Sequence, residues 1–258
     1  MRAIFETAQL FLTVALLVVT EQVAGLVSDL SHGYWTNTTN CRNLPDYFTV
    51  NKVIQKNLHE DGTWVRAEYF NMAVHCGTHL DAPYHAYSRG WKLGEIPLER
   101  FIVEGVHINV SKEVNGNADF VLTVDHLEAW EKLNGPIPSR SVVLVNFGWA
   151  HRFGDRLATY NSTDRSAERF PGISAPAAQW IVNTGKVYGV GVDGPSVDPG
   201  RSKDFEVHRT ITKANMYILE NVALNGTRLP SRGFKLIAQP FKFLDGTGGP
   251  CRILAFTE

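Results

Sequence analysis

Ser141–Phe147 reads SVVLVNF and Val187–Val192 reads VYGVGV. Each is a continuous β-forming run with almost no polar interruption, the pattern of a strand buried on both faces. Between them, Ser174 followed by Pro176 starts a helix that Gly185 stops, and Asp193-Gly194-Pro195 ends the second run. Buried strand, helix, buried strand is the signature of an α/β domain. Working outward, Thr123 is placed to cap a helix through Leu133, with Leu127 and Trp130 three apart on one face and Asn134-Gly135-Pro136 as its stop. Val106–Val110, Ile211–Glu220 and Leu236–Gln239 are predicted as strands, residues 63–75 (TWVRAEYFNMAVH) as a strand or hairpin arm, and Leu26–Leu30 as a short opening strand. Strand content exceeds that of a doubly wound fold. With no repeat, linker or charge run, residues 26–258 read as a single domain.

The chain has 258 residues, 44% hydrophobic and 20% charged, with 25 basic and 26 acidic side chains. That balance is globular, and it lacks the basic footprint of a nucleic-acid binder. Residues 1–25 read separately. Arg2 precedes the apolar run Leu10–Val19 (LFLTVALLVV), and Val23-Ala24-Gly25 offers small residues for cleavage. Ten apolar residues are too few to span a bilayer, so a signal peptide is predicted, with a mature protein that is secreted and free of the membrane. Four Asn-x-Ser/Thr sequons agree with that address, at Asn37, Asn109, Asn161 and Asn225. The three cysteines, Cys41, Cys76 and Cys251, allow at most one intramolecular bond, and Cys41 with Cys251 is the pairing expected.

Chemistry concentrates in His75–His85, HCGTHLDAPYH. If the segment were helical, His75 and His79 would share a face, although Gly77 and Pro83 oppose a regular helix. If it is extended, His75, His79, Asp81 and His85 all project to one side. Either geometry gathers two imidazoles and a carboxylate, a donor set for Zn2+ or Mn2+ and not for Ca2+ or Mg2+. A cation with open positions acidifies water toward neutrality, and His85 is placed to move protons.

These residues fit the H-x-G-T-H-x-D-x-P-x-H signature, and the chain resembles the cyclase family, which includes bacterial kynurenine formamidases and isatin hydrolase. Asp29-Leu30-Ser31-His32 is similar to its opening D-L-[ST]-H, and Gly191-Val192-Asp193-Gly194-Pro195-Ser196 to its G-x-D-x-P-S. His208-Arg209 and Leu219-Glu220-Asn221-Val222 resemble its later H-R and L-E-N-L elements, and Gly246–Pro250 with Arg252 its closing G-S-G-x-P-x-R. The resemblance implies a single α/β domain with a mixed, barrel-like β-sheet core flanked by helices. It implies one or two divalent metal ions per chain. His75, His79 and Asp81 would hold one, Asp81, His208 and Glu220 the second, and His85 would be the proton donor and acceptor. The implied activity of this secreted, animal-type member is hydrolysis of a small aromatic amide, such as N-formyl-kynurenine or isatin, with metal-activated water as nucleophile. A homodimer or higher homo-oligomer is implied as well. Trp35, Tyr84 and Trp91, with Tyr34 and Tyr87, are candidates for packing the substrate ring. The family's W-P-G element is replaced by Leu44-Pro45-Asp46, which leaves the substrate open. Two rival readings are a secreted ligand-binding protein that kept the fold and lost catalysis, and a cysteine-dependent acyl transferase built on Cys76.

Overall fold

The computed structural model describes residues 26–35, 48–57, 62 and 64–257. The predicted signal peptide, Asn37, Cys41 and Leu44-Pro45-Asp46 lie outside the described residues. The strands are β1 (Leu26–Asp29), β2 (Thr49–Asn57), β3 (Trp64–Asn71), β4 (His79–Asp81), β5 (Ile102–Asn109), β6 (Val121–Leu122), β7 (Ser141–Asn146), β8 (Gly172–Ile173), β9 (Val187–Val192), β10 (Tyr217–Glu220), β11 (Arg232–Pro240) and β12 (Gly248–Thr257). The helices are α1 (Ser111–Val114), α2 (Val124–Asn134), α3 (Arg156–Tyr160), α4 (Ala175–Asn183) and α5 (Glu206–Lys213).

The main sheet runs β1-β12-β11-β5-β7-β9-β10-β4 and closes through a second pairing of β12 with β4. Seven strands therefore form a mixed barrel. The centre, β5-β7-β9-β10, is parallel, and the remainder is antiparallel. The SVVLVNF run explains the layering. Val142 and Leu144 point into the barrel with Leu80, Tyr217, Leu219, Phe234, Leu236 and Ile253. Val143 and Val145 point outward, with Val190 and Val192, against Ala177, Ala178 and Ile181 of α4 and Trp130 of α2. Both faces of β7 are thus core, and each buried aliphatic contributes about 1.5–3 kcal/mol.

Local signals set most of the boundaries. Thr123 N-caps α2 in a reciprocal arrangement with His126, whose Nδ1 accepts from the Thr123 amide at 3.0 Å. Ser174 caps α4 by accepting from the Ala177 amide. The predicted strand Ile211–Glu220 is not observed as such: Glu206–Lys213 is helix α5, and only Tyr217–Glu220 is strand. Val207, His208, Ile211 and Thr212 are buried, a single helical face whose packing outweighs the β-forming residues. Asn215, at φ +52°, then redirects the chain into β10. Strand β12, which closes the barrel, is an addition to the predicted elements. No helix among the described residues is long and apolar enough to cross a membrane.

Candidate metal centre

Strand β4 is only three residues long, yet it is paired on both edges. Against β10 the register sets His79 opposite Glu220, and against β12 it sets Asp81 opposite Gly248. His79 and Asp81, two apart in a strand, share a face, and Glu220 reaches the same face from the neighbouring strand. The extended reading of the histidine segment therefore holds for this pair. His75 arrives from the bends that precede β4. Gly77 makes this path possible: its φ is +62°, and a Cβ there would fall 2.4 Å from the Tyr34 ring. Pro83–His85 forms a single 3-10 turn that brings His85 back over the strand. His208 comes from the first turn of α5.

The six side chains converge. His75 Nδ1 lies 2.6 Å from Asp81 Oδ1, and His75 Nε2 lies 2.8 Å from Thr247 Oγ1. His79 donates from Nδ1 to the Gly77 carbonyl at 2.9 Å, so its Nε2 faces Asp81 Oδ1 at 3.2 Å and Glu220 Oε2 at 3.5 Å. His208 donates from Nδ1 to Asp198 Oδ2 at 2.6 Å, so its Nε2 faces Asp81 Oδ2 at 3.4 Å and Glu220 Oε1 at 3.2 Å. His85 stacks near His75, with ring centroids 4.0 Å apart, and stands 5.9 Å from the His208 ring. Ligand atoms of His75, His79 and Asp81 lie within 4.8 Å of one another, and so do those of Asp81, His85 and His208.

This donor set fits a divalent cation. Asp81 and Glu220 are buried at 1% and 6% exposure, and among the described residues the ion-pair partners of both are imidazoles, with no Lys or Arg. Two buried carboxylates without a permanent positive partner are costly unless a cation joins them. In both His79 and His208 one ring nitrogen is engaged as a donor to a protein oxygen, which leaves the other nitrogen aimed at the carboxylates, the arrangement that orients metal-ligating histidines. Without a cation the two imidazoles take up protons in its place. Burial works to lower the pKa of His79, but Asp81, Glu220 and the Gly77 carbonyl outweigh it and raise it to about 9. Burial likewise opposes protonation of His208, and Asp198, Asp81 and Glu220 overcome it and hold its pKa well above 6.5. The carboxyl of Asp81 sits well below the usual range, because His79, His75 and His85 prevail over its burial. His85 goes the other way: desolvation among its neighbours, together with the adjacent His75 and His208, lowers its pKa.

Several functional neighbours have no signal in local spacing. Asp198 accepts from the backbone amides of Val207 (2.9 Å) and His208 (3.1 Å) as well as from the His208 ring, so one carboxylate caps α5 and orients its histidine. Thr247 holds His75 from the loop before β12. Asn221, at φ +52°, donates from its side chain to the Gly77 carbonyl at 3.0 Å, while its own carbonyl accepts from Thr78 Oγ1 at 2.6 Å. Asp193 accepts from the amides of Phe147, Trp149 and Ala150 and so fixes the turn after β7.

Of the candidate ring-packing residues, Trp35 is half exposed and meets Phe153 edge-on at 6.0 Å. Trp91 packs on the barrel core beneath Arg100, and the Tyr84 ring lies 5.9 Å from Lys92 Nζ. A cavity of about 390 Å³ opens at His85 and His208, and its aromatic wall is Phe205, whose ring stands edge-on to His208 at 5.7 Å. The cysteine expectation is corrected. Cys76 is disulfide-bonded, whereas Cys251 is free and buried at 5% exposure in the barrel core, so the Cys41–Cys251 pair does not form. Strand pairing of Cys251 opposite Pro240 carries its side chain inward, where burial raises the thiol pKa far above its ordinary value. The bond at Cys76 also removes the thiolate that a cysteine-dependent transferase requires.

The family model Cyclase matches residues 28–199. An isatin hydrolase of Roseibium aggregatum is 32% identical over 204 residues, covering 76% of either chain. A kynurenine formamidase of Erythrobacter litoralis is 28% identical over 195 residues, which span 76% of this chain and 79% of that one. The solved isatin hydrolase A from Ralstonia solanacearum superposes with a TM-score of 0.80 at 30% identity, covering 95% and 96% of the two chains. With the barrel, its order of motifs and these relatives in agreement, the chain belongs to the cyclase family.

Proposed function

We propose that this protein is a secreted, metal-dependent amidohydrolase that acts on C–N bonds of small aromatic amides, the class to which isatin and N-formyl-kynurenine belong. The observation that carries the proposal is the convergence of two buried imidazoles, His79 and His208, and two more accessible ones, His75 and His85, on two buried carboxylates, with no lysine or arginine ion-paired to either carboxylate among the described residues. His75, His79 and Asp81 would hold one cation, Zn2+ or Mn2+. Asp81, His208 and Glu220 would hold a second where two are bound. When bound, the cation supplies Lewis acidity, which acidifies water and polarises a carbonyl.

The chain's own residues do the rest. Asp198 and the Gly77 carbonyl fix the two inner imidazoles so that each presents Nε2. His85, on the accessible side of the site, takes a proton as water adds to the amide carbon and returns it to the departing nitrogen. Phe205 forms an apolar wall beside His208 where the substrate's ring can rest. A disulfide at Cys76 agrees with an oxidising, extracellular address, and Asn109, Asn161 and Asn225 are exposed, as acceptors of glycans must be.

Metal content per chain, measured by inductively coupled plasma mass spectrometry on protein secreted from eukaryotic cells, is the test. One or two tightly held Zn or Mn equivalents, lost in His79→Ala together with hydrolysis of both amides, is the expected result. No retained metal despite metal supplied during expression would overturn the assignment and leave the non-catalytic binding protein in its place.

A further inference from the structure

Cys76, Gly77 and Thr78 separate His75 from His79, and Gly77 turns the chain there at φ +62°. Glycine is the residue most able to leave such a conformation, so the peptide that follows it is the weakest point of this loop. That peptide carries the Gly77 carbonyl, which accepts from His79 Nδ1 at 2.9 Å. The bond leaves Nε2 of His79 facing Asp81 at 3.2 Å and Glu220 at 3.5 Å. A reversed Gly77 carbonyl would release the imidazole and with it the choice of which nitrogen faces the carboxylates.

Distant parts of the chain hold the loop in place. Tyr34, beyond the end of β1, sets its hydroxyl 2.7 Å from the Cys76 carbonyl and 2.9 Å from that of Thr78, the carbonyls on either side of the Gly77 one. Its ring lies so close along Gly77 that a Cβ there would fall 2.4 Å from Cε1. After β10, Asn221 donates from its side chain to the Gly77 carbonyl at 3.0 Å, and the Cys251 amide of β12 donates to the Thr78 carbonyl at 3.1 Å. Three successive carbonyls are thereby held from three places, and the Tyr34 hydroxyl serves two of them. Burial raises the pKa of the Tyr34 phenol, so it remains protonated and a donor at neutral pH.

The ring of Tyr34, a candidate for packing the substrate, is engaged otherwise: it packs on Gly77 and, at 5.7 Å between centroids, on Phe48. It is not part of the cavity at His85 and His208. Its hydroxyl bonds backbone and not a ligand side chain, so its influence on a cation passes through the Gly77 peptide. Asp198, by contrast, bonds the His208 ring directly.

We propose that Tyr34 is a positioning residue of the metal centre: its hydroxyl holds the two carbonyls that flank that of Gly77, which keeps the Gly77 carbonyl on His79 Nδ1 and presents His79 Nε2 to the cation. The inference rests on the metal-dependent reading of the site. Tyr34→Phe removes the hydroxyl and leaves the ring against Gly77. Zn2+ is the probe, because a nitrogen and oxygen site that takes Mn2+ binds Zn2+ more tightly still. In competition with a chromophoric chelator, the full secreted chain carrying Tyr34→Phe is expected to bind Zn2+ about 10-fold more weakly than wild type, the lower end of what loss of an orienting partner does. Tyr217→Phe is the structural control. The Tyr217 hydroxyl donates to the Arg100 carbonyl at 2.8 Å, so its loss should lower Tm in EDTA and leave Zn2+ affinity at the wild-type value. Wild-type Zn2+ affinity in Tyr34→Phe, or an equal loss of affinity in both variants, would overturn the proposal and leave the hydrolase reading intact. A wild type that holds no Zn2+ would overturn both.

Discussion

Replacing Asp198 with Asn tests whether the site is oriented from its second layer. The change keeps volume and removes one charge, and the structure gives that charge three close donors, the His208 ring at 2.6 Å and the amides of Val207 and His208 at 2.9 and 3.1 Å, with the Ser202 hydroxyl farther off at 3.3 Å. A hydrogen bond to an ionised acceptor contributes about 1 kcal/mol more than one to a neutral acceptor. Three such bonds weakened at once predict a loss of about 3 kcal/mol of stability in metal-free protein. For a domain of this size that lowers Tm by roughly 6–12 °C. The same change frees the His208 ring, and loss of an orienting carboxylate weakens metal binding by about 10- to 100-fold. Tm in EDTA reads the first effect, and Zn2+ competition against a chromophoric chelator reads the second. If Tm falls while metal affinity stays at the wild-type value, Asp198 is a helix cap alone and His208 does not hold a cation. If neither moves, the hydrogen-bond network drawn around α5 is wrong.

Three further outcomes follow from the geometry. His32 is stacked on Phe153 at 3.9 Å with Nε2 buried and unpartnered, and burial lowers its pKa to about 4. The unfolded chain therefore binds the extra proton between pH 6.5 and about 4, so stability falls as pH drops through that window and is fully present above it. The interval sets a ceiling of about 3 kcal/mol, reduced to about 1–2 kcal/mol by the ring's partial contact with solvent; His32→Phe should flatten urea midpoints measured from pH 7.5 down to 4.5. Cys76→Ala should cost about 2–4 kcal/mol by releasing the disulfide while metal-dependent hydrolysis persists; abolished activity with metal still bound would restore the cysteine mechanism. Gly248→Ala places a Cβ 2.4 Å from the Leu80 carbonyl oxygen and 2.7 Å from the His75 ring, so both Tm and metal content should drop, and a variant with wild-type values of both would refute the tight β4–β12 approach.

What could be read from the sequence was local. SVVLVNF declared a strand buried on both faces, and β7 is that strand. His75, His79 and Asp81 were visible because the pleat of a short strand and one glycine bend gather them within seven residues. His208 and Glu220 had no such spacing; they reached the site by resemblance alone, since a helix and a strand far along the chain carry them. Ile211–Glu220 misled because Ile211, Thr212 and Ile218 are β-formers, while the burial of Val207, His208 and Ile211 on one helical face decided the outcome. Asp198 carries no pattern at all, and Thr247 lies in the family's closing element with no role that spacing assigns, because what each does exists only once α5 and the β12 loop have been placed against the histidines. The cysteine pairing went the wrong way for a related reason: whether Cys251 faces solvent or core depends on the register of β12, which pairing with β11 sets.

Barrel closure and site assembly are one event. Strand β4 contributes three residues, and all three pair twice, with β10 on one edge and β12 on the other. A strand this short has no register preference of its own, so the flanking strands impose it. A slip of one residue would turn His79 and Asp81 toward the opposite face and bring Leu80 to the carboxylate of Glu220. Leu80 is fully buried inside the barrel, and moving it out would forfeit about 2 kcal/mol of apolar burial while exposing two polar groups to the core. The hydrophobic preference of one leucine thus selects the register that sets a histidine and an aspartate before Glu220. The buried charge so gathered is unfavourable on its own, and a cation is what balances it. In this barrel the apolar interior specifies the ligand geometry, and the metal would in turn hold the last strand closed.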